Sequence, residues 1–196
     1  LILKAQHAAD VEAAFLHRDG LMIAFLALVP LRRSNLAEMR IGANLIKQNG
    51  TWTIVFEESE TKTHTVYEAV LPEALTDHLG TYLAIHRPIL MAQMGRWSKP
   101  VDAALWLSSH GSPMTQMAFY DRVRRRTREA FDVAINPHLF RDAAATTLAI
   151  ADPAHVRVAA PLLGHRNLST TERYYQQART YEAHAVYIDA LFGKEQ

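Results

Sequence analysis

Cysteine is absent from all 196 residues. Its absence excludes disulfides and thiolate metal sites, and it fits a reducing cytoplasm. Long hydrophobic runs are missing too. The longest apolar stretch, LMIAFLALVPL at 21–31, falls well short of the roughly 20 residues that cross a bilayer, so no membrane partner is expected. The opening LILKAQHAAD has neither the basic start nor the small-residue cleavage site of a secretory leader. Because it does not begin with Met, the expectation is a fragment of a longer chain. Net charge is also nearly absent: 21 Lys and Arg stand against 20 Asp and Glu, by itself a weak case for a nucleic-acid partner. There is no internal repeat and no low-complexity tract. A chain of this length reads as one domain, 1–196, able to bury roughly 70% of the surface it exposes when unfolded.

What is present is clear patterning. Helix is predicted over 8–30 with a break at HRDG (17–20), and it resumes through LRRSNLAEM (31–39) after Pro30. Leu28, Leu31 and Leu36 are expected to face inward. The period then changes. TWTIVFEE (51–58) and HTVYEAVL (64–71) are rich in β-branched and aromatic residues, and with IGANLIKQNG (41–50) they predict an antiparallel meander of three strands. Pro72 opens a long helical pattern, PEALTDHLGTYLAIHRPIL, and residues 91–113 read as loop around AALWLS. Helical patterns return at 114–131, 138–151, 154–162, 168–179 and 180–192. The fold class is mainly α with a small three-stranded antiparallel sheet (α+β). Trp52, Trp97 and Trp106 are assigned to the core, and His64, His86 and His110 to surface or turns.

Several stretches could carry chemistry. In NPHLFR (136–141) Asn136 is placed to cap a helix and Pro137 to occupy its first position. His138 and Arg141, three apart, would share a face of the first turn, next to free N–H groups and a partial positive charge. That combination suits an anion, most naturally phosphate; the plainer alternative is an exposed pair beside a capped helix. RVRRRTR puts Arg122, Arg124, Arg125, Arg126 and Arg128 within seven positions, either a solvated helix face or a stripe of phosphate contacts. Arg32 and Arg33 follow an apolar segment, where a buried guanidinium is costly unless it meets an anion. Lys62 lies in the hairpin turn SETKTH, from which a loop can deliver a proton donor. LLGHRNLSTTERYY (162–175) adds His165, a run of hydroxyls and two phenols. No convincing metal cluster is present, and no cofactor is expected.

In order, PLRRSNL, TKT in a hairpin, HLFR, LLGH and STTERYY resemble the tyrosine recombinase (phage integrase) family along almost the whole chain. In that family's catalytic domain a first arginine lies in a G-L-R-x-x-E-L pattern and a lysine in a β-hairpin. H-x-x-R, L-G-H and a tyrosine nine positions beyond the last histidine follow. The resemblance carries these onto Arg32, Lys62, His138, Arg141, His165 and Tyr174. Three positions depart from the pattern. Pro30 replaces the usual glycine, Asn35 the usual acid, and Asp142 a frequent second histidine, where a supporting role is expected. An amide at Asn35 can still accept a hydrogen bond, but it brings no charge to orient Arg32.

The resemblance implies a tyrosine recombinase catalytic-domain fold in a C-terminal fragment that lacks the N-terminal DNA clamp. It implies a metal-independent enzyme that cuts and rejoins DNA through a covalent 3′-phosphotyrosine. Arg32 and Arg141 would grip the scissile phosphate, and His165 would hydrogen-bond it. His138 would accept the proton of Tyr174, and Lys62 would protonate the departing 5′-oxygen. Tyr175, turned about 100° away on a helix, would pack instead, and Ser169 or Thr170 would cap that helix. The partners implied are double-stranded DNA, three further copies of the chain on two DNA sites, and accessory DNA-bending proteins. The last helix, 180–192, would be exchanged between neighbouring copies. The setting implied is the cytoplasm, on the nucleoid or encoded by a phage or mobile element. Two alternatives share the residues: a type IB topoisomerase, and a DNA-binding regulator of the same fold that has lost the chemistry.

Overall fold

The computed structural model describes residues 1–5, 10–95 and 103–151. The chain divides into two compact units, Leu1–Phe140 and Arg141–Gln196. The helices expected at 154–162, 168–179 and 180–192 lie outside the described residues, as do Trp97, His165, Tyr174, Tyr175 and the hydroxyl run.

The first unit is built around α2 (Asp10–Leu28), preceded by the single turn α1 (Ile2–Ala5) and followed by the short α3 (Arg33–Ala37). Leu21, Met22, Phe25 and Leu26 of α2 are fully buried, each burial stabilising by about 1.5–3 kcal/mol. The break expected at 17–20 does not occur; α2 runs through His17, Arg18, Asp19 and Gly20 without interruption. Arg18 and Asp19 are buried as a pair, Arg18 Nε and Nη2 donating to Asp19 Oδ1 at 2.9 and 2.6 Å and Nη1 to the Leu107 carbonyl at 2.6 Å. Gly20 is a close-approach glycine, not a turn: a Cβ there would stand 2.9 Å from Ile2 Cγ1 and 3.2 Å from the Ile2 nitrogen. Leu28 faces outward, contrary to expectation, while Leu31 and Leu36 are buried as expected.

The three strands fall where their composition puts them. They are β1 (Leu45–Gln48), β2 (Thr51–Phe56) and β3 (Tyr67–Val70), antiparallel in the order β1-β2-β3. Asn49 and Gly50, with φ of 50° and 84°, form the two-residue hairpin turn that needs left-handed backbone at both positions. Leu45 and its partner Ile54 are fully buried, and Phe56, two residues on, nearly so, so one face of the sheet joins the core.

Helix α4 (Glu73–Thr81) passes through a π-helical stretch, Tyr82–His86, into α5 (Arg87–Met91). The widened stretch aims the Tyr82 hydroxyl at the Leu105 carbonyl, 2.9 Å away. It also stacks His86 on His17 with centroids 4.3 Å apart, so His86 is half-buried and not on the surface as expected. His64 and His110 are exposed. Trp106 is buried, with edge-on contact to Phe25 at 5.6 Å, and its Nε1 donates to the Leu36 carbonyl at 2.7 Å, fixing the end of α3. Trp52 packs half-buried against the core. Thr115 caps α6 (Gln116–Phe131) by accepting from the Ala118 nitrogen at 3.1 Å. Last described is α7 (Pro137–Ala151). No helix among the described residues is long and apolar enough to cross a membrane.

Candidate active site

Arg32 stands at the head of α3, in extended backbone (φ −64°, ψ 141°) just before the first helical residue. Pro30 breaks the helical run between α2 and α3, and the Arg32 carbonyl accepts from the Leu36 nitrogen at 3.0 Å to start the new helix. The side chain is half-buried, and that burial holds its pKa below the ordinary arginine value. A desolvated guanidinium gains more from an anion than a hydrated one does.

Lys62 is exposed in the ten-residue connection between β2 and β3. Buried Thr61 and Thr63 flank it. Thr61 Oγ1 closes the turn, lying 2.8 Å from the Thr65 carbonyl and accepting from the Thr65 nitrogen at 3.0 Å. The upstream part of the connection is the 3₁₀ turn Glu58–Glu60, closed by a reciprocal capping box between Glu57 and Glu60.

Asn35 joins these two places. Its Nδ2 donates to the Glu60 carbonyl at 2.9 Å, so the position where the resemblance expects an acid uses the one capability an acid lacks. Glu60 is gripped from the sheet side as well: buried Asn44 donates Nδ2 to its two carboxylate oxygens at 3.0 and 3.1 Å, and the Glu57 nitrogen donates to Oε2 at 2.9 Å.

His138 and Arg141 both lie in the first turn of α7. Its start follows the expected capping: Pro137 is the first helical residue, and Asn136 Oδ1 accepts from the His138 nitrogen at 3.0 Å. His138 is exposed and closes the first unit; Arg141 is buried and begins the second. Asp142 is half-buried, and its carbonyl accepts from Thr146 Oγ1 at 2.9 Å.

The arginine run on α6 divides by direction. Arg126 Nε donates to Asp19 Oδ2 at 2.7 Å, and Arg122 Nε lies 3.8 Å from the same oxygen. Burial works against both charges. For Arg122 it prevails and lowers the pKa, whereas the hydrogen bonds of Arg126 to Asp19 and Glu129 raise its pKa. Arg125 and Arg126 together hold the Glu129 carboxyl below its ordinary value through their hydrogen bonds. Arg124, Arg125 and Arg128 line an open cleft of about 230 Å³ with Asp121 and Ala134. Arg33 and Arg124 each stand over the Tyr120 ring, at 5.1 and 5.3 Å from its centroid. The sequence reading missed Asp19 and Tyr120. Only the i, i+4 spacing of Tyr120 and Arg124 was visible in advance. Among the described residues no group of three or more His, Asp or Glu could hold a metal ion.

The model of the phage integrase family matches residues 3–180. The tyrosine recombinase XerD of Staphylococcus aureus is 28% identical over 177 residues, 88% of this chain and 55% of that protein. XerD of Staphylococcus saprophyticus is 27% identical over 162 residues, 81% and 50% of the two chains. The chain thus spans about half the length of the curated relatives it matches. Among solved structures, the XerH site-specific recombinase bound to its palindromic difH substrate after cleavage superposes with a TM-score of 0.67 at 20% identity. That match covers 95% of this chain and 50% of XerH. The XerA recombinase superposes with a TM-score of 0.62 at 17% identity, covering 86% and 56%. These likenesses establish the fold as that of the recombinase catalytic domain.

Proposed function

Because the chain belongs to the phage integrase family, we propose that it is the catalytic domain of a site-specific DNA recombinase that cuts and rejoins strands through a 3′-phosphotyrosine. One observation carries the reading. Arg32, Lys62, His138, Arg141, His165 and Tyr174 stand in the chain in the order, and with the H-x-x-R and His-to-Tyr spacings, of the six residues that the family resemblance assigns to the reaction.

Phosphoryl transfer depends mainly on positioning and charge neutralisation. Arg32 and Arg141 bind the non-bridging oxygens of the scissile phosphate, and His165 donates a hydrogen bond to the same group. The Tyr174 phenol, with an ordinary pKa of about 10, passes its proton to His138 as its oxygen attacks phosphorus. The phosphorus–O5′ bond breaks, and Lys62 gives the departing oxygen its proton. The tyrosyl phosphodiester keeps the energy of the broken bond, and the 5′-hydroxyl of another strand reverses the step. The desolvated guanidinium of Arg32 supports its part. Of the α6 arginines, Arg124, Arg125 and Arg128 face outward and track the DNA backbone, while Arg122 and Arg126 brace the helix on Asp19. Four copies working on two duplexes, aided by DNA-bending proteins, complete the exchange in the cytoplasm, for a chromosome, phage or mobile element.

The test is a covalent adduct. The wild-type protein is incubated with nicked duplexes selected by it from a randomised library, then run on a denaturing gel. A DNA-linked band that Tyr175→Phe keeps and Tyr174→Phe loses is expected. Tight binding with no adduct from the wild type would establish a DNA-binding regulator instead.

A further inference from the structure

We propose that Asn35 is a positioning residue: by donating its amide proton to the Glu60 carbonyl it fixes the loop of the general acid Lys62 to the helix headed by the phosphate-binding Arg32. The proposal rests on the reading of Lys62 and Arg32 given above.

The geometry is specific to an amide. Asn35 is 8% exposed, and its Nδ2 reaches across 25 positions of sequence to the Glu60 carbonyl at 2.9 Å. An aspartate there would present an anion to a carbonyl oxygen and has no proton to give at neutral pH. Glu60 is a junction. On its other side Asn44 Nδ2 donates to both carboxylate oxygens, and Asn44 is itself fixed: Nδ2 lies 3.2 Å from the Val55 carbonyl, and Oδ1 accepts from the Arg40 nitrogen at 3.1 Å. Glu60 is therefore tied to α3 through its carbonyl and to the sheet side through its carboxylate. Lys62 follows two residues later, in a turn closed by Thr61 and Thr65. With both ties in place, the remaining freedom of the general acid is that of its own side chain. Without the α3 tie, the loop keeps its fold and its sheet contacts but loses its fixed distance from Arg32. The deficit then falls on protonation of the leaving group and not on the grip of the phosphate.

That separation can be measured with two duplexes that differ in one atom. When the bridging 5′-oxygen at the cleavage site is replaced by sulfur, the leaving group departs as a thiolate and needs no proton, because a thiol is far more acidic than an alcohol. On the selected nicked duplex with oxygen, Asn35→Asp is expected to slow adduct formation about tenfold or more. On the sulfur duplex it should stay within about twofold of wild type. Lys62→Ala should give the same selective pattern more severely. Asn35→Ala, which removes the donor without placing a carboxylate beside the Glu60 carbonyl, should give the same pattern, so the idea stays testable if Asn35→Asp does not fold. Equal slowing on both duplexes, or no slowing on either, for whichever of these Asn35 variants folds would overturn the clamp while leaving the recombinase reading intact. A wild type that forms no adduct, or a Lys62→Ala slowed equally on both duplexes, would overturn the reading of the site itself, and the clamp with it.

Discussion

Asp19 is a carboxylate with no exposed surface, and three arginines surround it. Arg18 occupies one oxygen at 2.6 and 2.9 Å, Arg126 takes the other at 2.7 Å, and Arg122 stands 3.8 Å from it. A buried pair adds little over a hydrophobic substitute, but breaking one leaves an uncompensated charge. Asp19→Ala strands Arg18, which is itself fully buried, and should lower unfolding free energy by about 3–5 kcal/mol in urea titrations. A loss under about 1 kcal/mol would mean the arginines find other partners. The histidine stack makes a second prediction at this scale. Burial holds both His17 and His86 below the ordinary 6.5, and a neighbouring histidine lowers each further, His78 for His17 and His17 for His86. Above about pH 6.5 folded and unfolded chains both carry neutral rings, and the stability from this cluster is fully present. As pH falls below that value the unfolded chain takes up protons first, so stability should drop and then level off below the folded pKa values. His86→Phe keeps the ring contact with His17 and removes one titration, so urea midpoints measured between pH 5 and 7.5 should vary less steeply in that variant.

At the scale of the element, α6 does two jobs on two faces. Arg122 and Arg126 reach inward to Asp19, and Arg124, Arg125 and Arg128 border the open cleft. Replacing the outward three with Gln should weaken DNA binding and reduce the salt slope by about one for each phosphate no longer neutralised, close to three in total. Arg126→Gln should lower thermal stability with little change of slope, as read from binding isotherms at several salt concentrations. This division was not visible in RVRRRTR, because the partner of Arg126 lies 107 positions away in a helix. The same distance explains the misplaced break in α2: HRDG reads as a solvated turn until Arg18, Arg126 and the close approach of Ile2 to Gly20 are known. The strands were legible because alternation and β-branching are local, and Asn136–Pro137 fixed the start of α7 for the same reason. The order and spacing of the six proposed site residues are read from the chain itself, and two of them, His165 and Tyr174, lie outside the described residues. The use of Asn35 was not legible, since its partner is a backbone carbonyl that carries no sequence signal.

At the scale of the whole molecule, the fate of the break, and not its polarity, separates the proposed recombinase from the topoisomerase that shares its chemistry. On the proposed mechanism, attack by Tyr174 that expels O5′ would leave phosphate on the enzyme-linked 3′ end and a free hydroxyl on the other. The released strand should therefore accept a labelled phosphate from a kinase without prior phosphatase treatment. Both a topoisomerase and a recombinase meet that condition, because both store the bond in the same linkage. They part at resealing. A topoisomerase rejoins the strand it cut, since one copy of the site on one duplex is sufficient. Strand exchange instead needs a second cut strand held within reach, and so a second duplex and further copies of the protein. Two selected duplexes of different length, incubated with the protein, should yield recombinants of two new lengths. The yield should rise more steeply than linearly with protein concentration, and Tyr174→Phe should abolish it. No recombinant from the two duplexes, together with relaxation of a supercoiled plasmid carrying the selected site at a rate proportional to protein, would identify a topoisomerase working through the same six residues.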